Sequence, residues 1–385
     1  MEDELVPDTC FEGHEFTVWS LAFTPDGRYI VSGGQDATVR VWDLQSGSQV
    51  HKLSGHRGAV YGLSVLADGA RVVSVADMDL AVRIWDIEAG EPISALAPNS
   101  AHVNAVTSSP DNRYVVTGGD DGKARIWDID SGVLLRVLDH ARSIYSMKIS
   151  PDGRHLVIGS KTTAGSVEKG LIWVWDFELG ILLHTLESHT GHVTSLAMTA
   201  DSRYILSGGQ DGTVRLWDLE TGTLLYSMAG HEGPVVIVAV TPDGQHIISG
   251  SSDNTLRLWQ LHGGVFIHSV EHTENVHAIA VSANGRHIAT GDVEGVVQLW
   301  DFRIGTSWVD DSIDREEAKE TELAAFREVQ LRKVINRYET LPLERLKTLL
   351  RFEDMAELED WLLDLPEESP VKIDGDLLII RKQIT

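Results

Sequence analysis

The sequence predicts an all-β protein, seven copies of one four-stranded sheet set around a common axis as a β-propeller, followed by a small α+β segment. Three observations predict this. Trp-Asp recurs at Trp42-Asp43, Trp85-Asp86, Trp127-Asp128, Trp175-Asp176, Trp217-Asp218 and Trp300-Asp301, with Trp259-Gln260 in the remaining place, so successive tryptophans lie 43, 42, 48, 42, 42 and 41 residues apart. A histidine precedes the Val or Ile that opens each unit, at His14, His56, His140, His189, His231 and His272, with Asn99 standing there in the third. Turn signals such as Pro25-Asp26-Gly27, Pro151-Asp152-Gly153 and Pro242-Asp243-Gly244 fall between two apolar runs, as hairpins require.

Each element follows from the repeat. In the first unit TVWSLAF and RYIVSGG flank the Pro-Asp-Gly turn, then ATVRVWDL and SQVHKLS follow with Gly47 between them, which makes four short strands. One such sheet cannot bury both of its faces, so seven must stack in a ring, and the core is spread between the sheets. Eleven residues past the tryptophan the other blades carry Leu53, Leu96, Leu138, Leu186, Met228 or Val270, but the seventh offers Asp311. Phe11 precedes His14 as Leu53 precedes His56, so residues 5–11 are expected to close the ring, with Trp308 marking the competing segment. The expected organisation is a propeller over 1–309, a linker or helix start over 310–318, and a second domain over 319–385.

A polar set accompanies the repeat: His14, Ser32, Asp36 and Trp42; His56, Ser74, Asp79 and Trp85; His189, Ser207, Asp211 and Trp217; His231, Ser249, Asp253 and Trp259. Ser, His and Asp together invite a hydrolase reading, but a triad needs one exposed nucleophile and an oxyanion hole, not several copies. With its forty-residue period, histidine ladder and Trp-Asp dipeptides, the chain resembles the WD40 repeat family. That resemblance implies a buried structural network for these residues. Blade three substitutes Asn99, Thr117, Asp121 and Trp127, and blade seven has Glu294 in the place of Asp. Blade four has Ile158 for the hydroxyl residue and an inserted loop from Lys161 to Gly170, which lacks the Gly-Lys-Ser/Thr order of a phosphate cradle.

The resemblance also implies a ligand face. The residue after each strand-opening Val or Ile should reach it, namely Trp19, Tyr61, Asn104, Tyr145, Thr194, Val236 and His277. So should the residue two before, in Thr17, Ala59, His102, Ser143, His192, Pro234 and Asn275, and the residue before the turn Asp, including Gln35, Met78, Asp120, Gln210 and Ser252. Trp19, Tyr61 and His277 fall on adjacent blades and are expected to form an aromatic contact surface. His102, His192 and His277 sit on alternate blades, too far apart for tetrahedral zinc, so no metal and no cofactor is expected.

The net charge is −26, and residues 302–385 hold 13 basic and 20 acidic side chains, so both parts are acidic. Such a balance disfavours nucleic acid and steers basic partners in. One cysteine, Cys10, excludes a disulfide framework and fits a reducing compartment. With neither a secretory signal nor a bilayer-spanning stretch, a cytoplasmic location is expected, the nucleus being the alternative.

After Asp301 the period turns helical. Leu323, Phe326, Val329, Val334 and Tyr338 approximate one helical stripe, and LPLERLKTLL and MAELEDWLLDL read as short helices, with Pro342 near the start of the first. Asp374-Gly375 between apolar strands signals a hairpin. This order resembles the winged-helix half of PCI-type domains. The helix before the wing, Phe352 to Leu365, carries six acidic residues and no Lys or Arg, so it favours protein over DNA as a partner. Trp361, Leu362 and Leu365 are its core or contact residues.

The expected function is a non-enzymatic protein–protein interaction scaffold, one face binding a peptide or protein and the second module docking into a multi-protein complex. The alternatives are a transcription or translation factor reading nucleic acid through the winged helix, a substrate-receptor subunit of a ligase complex, and an enzyme whose chemistry lies in the blade-four insert.

Overall fold

The computed structural model describes residues 7, 9–96, 101–140, 142–160, 169–272 and 274–302, then residues 331, 340–343, 346–347, 358, 362, 371–374 and 377–380. The chain splits into two compact units, Met1–Asp310 and Asp311–Thr385.

In blade one the apolar runs become four antiparallel strands paired in chain order, Val18–Phe23, Tyr29–Gly34, Thr38–Asp43 and Ser48–Ser54. The hairpin at its lower end is set by side-chain capping. Asp26 accepts the Thr24 hydroxyl at 2.5 Å and the Arg28 N–H at 3.0 Å, while Gly27 takes the left-handed conformation with φ 70°. Blades two to six repeat the four-strand order from Val60, Val103, Ile144, Val193 and Val235.

Blade seven draws only three strands from its own repeat, Val276–Val281, His287–Asp292 and Val297–Asp301. The fourth is Thr9–Phe11, with Thr9 opposite Leu299, Cys10 opposite Gln298 and Phe11 opposite Val297. The strand is shorter than the expected 5–11, whose residues 5, 6 and 8 lie outside the described residues. Phe11 is buried, its ring 5.6 Å from that of Trp42. Trp308 lies outside the described residues.

The core is distributed. Tyr29–Gly34 is buried along its whole length because a blade covers each face, whereas the outer strand Ser48–Ser54 fully buries Leu53 alone. The repeat tryptophan fills the cleft against the preceding blade. Trp85 packs with Val31, Val39 and Val41 of blade one, and Trp217 with Val157, Ile172 and Val174 of blade four. Trp42 closes the circle against Ala289, Val297 and Leu299 of blade seven.

Blade four departs from the expected loop at its end. Lys169 and Gly170 already belong to the strand Lys169–Asp176, because the outer strand is lengthened to Ile181–Thr190 and carries the ladder on to Lys169 opposite Thr190. Lys169 Nζ lies 2.5 Å from Glu187. Residues 161–168 lie outside the described residues.

In the second unit Thr340–Pro342, Val371–Asp374 and Leu377–Ile380 form one sheet with the last strand central. Asp374 pairs with Leu377, as the Asp374-Gly375 turn signal requires. Thr340–Pro342 is a strand and Leu343 is the first helical residue after it, so Pro342 does stand beside a helix start, and it is Leu341, expected to be helical, that is extended. The cause is local, since a residue preceding proline is driven to extended backbone. Leu331, Leu343, Leu346, Leu358 and Leu362 are buried. The rest of the winged-helix expectation, including the helical stripe, Trp361 and Leu365, falls outside the described residues.

Candidate interaction face at the channel mouth

In every blade the ladder of the inner strand skips one residue. Val18 pairs with Gly34 and Ser20 with Gly33, which leaves Trp19 out. Tyr61, Asn104, Tyr145, Thr194, Val236 and His277 are passed over in the same way. A bulge re-aims its extra side chain. All seven bulged residues line a central cavity of about 980 Å³.

Trp19 meets the Tyr61 ring edge-on at 5.1 Å and the His277 ring at 4.7 Å, so the three join into one cluster across blades seven, one and two. Such tilted contacts match the ring quadrupoles. In blades four and five Tyr145 stacks on His192 at 5.8 Å. Burial raises the pKa of Tyr61, with Asp77 adding to the effect, and burial raises that of Tyr145 and lowers that of His277. All three therefore stay neutral near pH 7. Trp19 Nε1 and His277 Nδ1 are buried atoms with no hydrogen-bond partner among the described residues, and an unmet donor of this kind costs about 1–3 kcal/mol.

The remaining rim residues divide by use. Asn104 donates to Asp120 and to the Ile144 carbonyl, both at 2.9 Å, and Thr194 donates to the Val235 carbonyl at 2.5 Å, so both tie neighbouring blades together. Thr17 donates to the Val293 carbonyl and Ser143 to that of Asp120. Gln35, Gln210, Met78 and Ser252 are exposed, and His102 is exposed and paired with Asp77.

Beneath the rim the repeated polar residues form relays. In blade one the Trp42 N–H donates to Ser32 at 2.8 Å, the Ser32 hydroxyl to His14 Nε2 at 2.7 Å, and His14 Nδ1 to Asp36 at 3.0 Å. The same steps measure 2.7, 2.6 and 2.7 Å through Trp85, Ser74, His56 and Asp79. They measure 3.0, 2.8 and 2.8 Å through Trp217, Ser207, His189 and Asp211, and 2.8, 2.7 and 2.9 Å through Trp259, Ser249, His231 and Asp253. Arg40, Arg83 and Arg215 neutralise three of the acids.

Burial pushes His56 down to about 4, outweighing the Asp79 hydrogen bond, so the imidazole is neutral at pH 7. Burial alone would raise Asp253, but hydrogen bonds from Thr255 and His231 bring it down to about 2. Ser32, Ser74, Ser207 and Ser249 are fully buried, where no substrate carbonyl can reach them.

Three blades vary the relay. In blade three Trp127 donates to Thr117 at 3.0 Å and Asp121 pairs with Arg125 at 2.6 Å, while Asn99 lies outside the described residues. In blade four, with Ile158 present, the Trp175 N–H donates directly to His140 Nε2 at 3.0 Å, and Trp173 packs on the same imidazole at 4.5 Å. In blade seven Glu294 is exposed and does not stand in for Asp. His272 Nδ1 donates instead to the Glu274 carbonyl at 3.0 Å. Asp292 occupies the place of Gly34. Asp292 caps the turn, accepting the N–H groups of Glu294 and Val296 at 3.0 and 2.9 Å.

Among the described residues no group of three His, Cys, Asp or Glu comes together as a metal site, and no helix is long and apolar enough to cross a membrane. Lys148, which lines the same cavity, was not singled out from the sequence.

The family model described as WD domain, G-beta repeat matches residues 6–43, 47–86, 90–128, 132–176, 180–218, 222–260 and 264–301. The chain is 25% identical over 212 residues to "Autophagy-related protein 16" of Arabidopsis thaliana, covering 54% of this chain and 40% of that protein. It is 29% identical over 205 residues to "Cilia- and flagella-associated protein 52" of Homo sapiens, covering 52% and 31%. It is 27% identical over 210 residues to "Small ribosomal subunit protein RACK1y" of Oryza sativa subsp. japonica, covering 52% and 47%. The matches thus span less than half the length of each of these relatives.

Proposed function

We propose that this chain, which belongs to the WD40 repeat family, is a non-enzymatic scaffold whose channel mouth takes a peptide or protein partner. The observation that carries this reading is the Trp19–Tyr61–His277 cluster, three neutral rings from adjacent blades with the Trp19 N–H unpartnered. Rigid aromatics presented together are hot-spot material. Relatives whose names point to autophagy, cilia and the ribosome support an interaction role, because one reaction would not serve such different settings.

The net charge of −26 favours a basic partner by steering. The Asp311–Thr385 unit serves as a second handle that docks the propeller into an assembly, and the lone Cys10 suits the cytoplasm.

The test is the affinity of peptides selected from a random library on the full chain. With Trp19 and Tyr61 both replaced by Ala, binding should weaken at least about tenfold, since one hot-spot residue carries about 2 kcal/mol. Unchanged affinity would reject the reading.

A further inference from the structure

Among all residues of the seven inner strands, Lys148 is the only Lys, Arg, Asp or Glu. It is the fifth residue of Ile144–Ile149, and the fifth residues of the other inner strands are Ala22, Ser64, Thr107, Ala197, Ala239 and Ala280. All six are small, so nothing at this level competes for the space into which the lysine reaches. Lys148 lines the cavity together with Ala22, Ala197, Ala239 and Ala280, and it is open to solvent there. Tyr145, at the mouth, comes three residues earlier in the same strand, which places Lys148 about 10 Å deeper.

The ammonium has been given no counter-charge. The flanking inner strands, Val103–Ser108 and Val193–Met198, hold no carboxylate, nor does its ladder partner His155–Ser160. Among the described residues no hydrogen bond or ion pair is made by Lys148. The surrounding walls lower its pKa by desolvation, with no nearby charge contributing. Low-dielectric walls also focus its field along the channel.

We propose that the channel binds a compact anion of the carboxylate or phosphate type, with the Lys148 ammonium as its counter-charge. The site is independent of the peptide reading of the rim and can hold where that reading fails. The small residues around it set the size of the guest, and Lys148 supplies a point charge rather than the planar fork that arginine would.

The full chain is titrated calorimetrically with inorganic phosphate and, separately, with succinate, at constant ionic strength held with sodium chloride. Saturable binding of at least one probe is expected. It should weaken at least about tenfold in Lys148→Met, which removes one member of a charge pair, and persist in Lys148→Arg. Saturation by phosphate alone assigns a phosphate guest, and by succinate alone a carboxylate. The same titration on Trp19→Ala should be unchanged, which separates this site from the rim. In the unmutated chain the bound anion should also slow trinitrophenylation of Lys148, a readout that does not depend on any variant folding. Absence of saturable binding by both probes, equal affinity in Lys148→Met, or an unprotected Lys148 in the saturated chain would overturn the proposal.

Discussion

Replacing Ser74 with Ala removes one oxygen and strands two buried groups. Ser74 is fully buried; it accepts the Trp85 N–H at 2.7 Å and donates to His56 Nε2 at 2.6 Å. Trp85 is only 1% exposed, so its N–H cannot turn to water. Each stranded group costs about 1–3 kcal/mol, which gives about 3 kcal/mol for the pair after some relaxation. At about 2 °C per kcal/mol for a unit of this size, the melting temperature should fall by about 6 °C. Scanning calorimetry at pH 7 measures it, with Ser46→Ala as the control, because the Ser46 hydroxyl is exposed and its bonds, to Ser48 at 2.8 Å and to Asp43, lie at the surface. A Ser74→Ala chain that melts with the control would refute the view that the relay holds the blade.

Ile158→Ser in blade four, which restores the residue type of the other relays, should destabilise by about 2–3 kcal/mol, since a fully buried side chain is lost and His140 is already bonded to Trp175. A raised melting temperature would contradict that. Phe11→Ala should cost about 3–5 kcal/mol by loosening the closure strand from Trp42, and an unmoved urea midpoint would mean that the ring is not held there. His56 falls from 6.5 to about 4 in the folded chain, so the unfolded chain takes the proton first and about 3 kcal/mol is lost as pH drops through that window. Asp253, lowered from 3.8 to about 2, adds stability that is present above 3.8 and lost as pH falls towards 2. Urea midpoints that stay level between pH 7 and 4 would deny the neutral imidazole.

The repeat was legible because each blade must meet the same packing demand. The period of Trp42, Trp85 and their successors marks the cleft each indole fills, and Phe11 could be matched to Leu53 because both occupy one register position, opposite Val297 and Val39. What escaped were local exceptions. The bulges at Trp19 and its equivalents break the two-residue alternation and leave only an indirect trace, a glycine such as Gly33, Gly118 or Gly208 beside the skipped residue. Trp173, at the place of Arg40, replaces an ion pair with a ring contact, visible as Trp-Val-Trp but not interpretable without the histidine beside it. Asn104 and Thr194 share the spacing of Trp19, yet hydrogen bonds across the blade boundary use them up, and spacing cannot reveal that.

The most direct test measures melting temperature and peptide affinity together on two chains, Trp19→Ala and Ser74→Ala. The rim variant should lose binding at least about tenfold while melting within about 1 °C of the unmodified chain. The relay variant should melt about 6 °C lower while binding as before at temperatures where it is folded. If Ser74→Ala abolished binding in the folded state, or Trp19→Ala left it untouched, the separation of supporting relays from a partner-binding rim would be wrong.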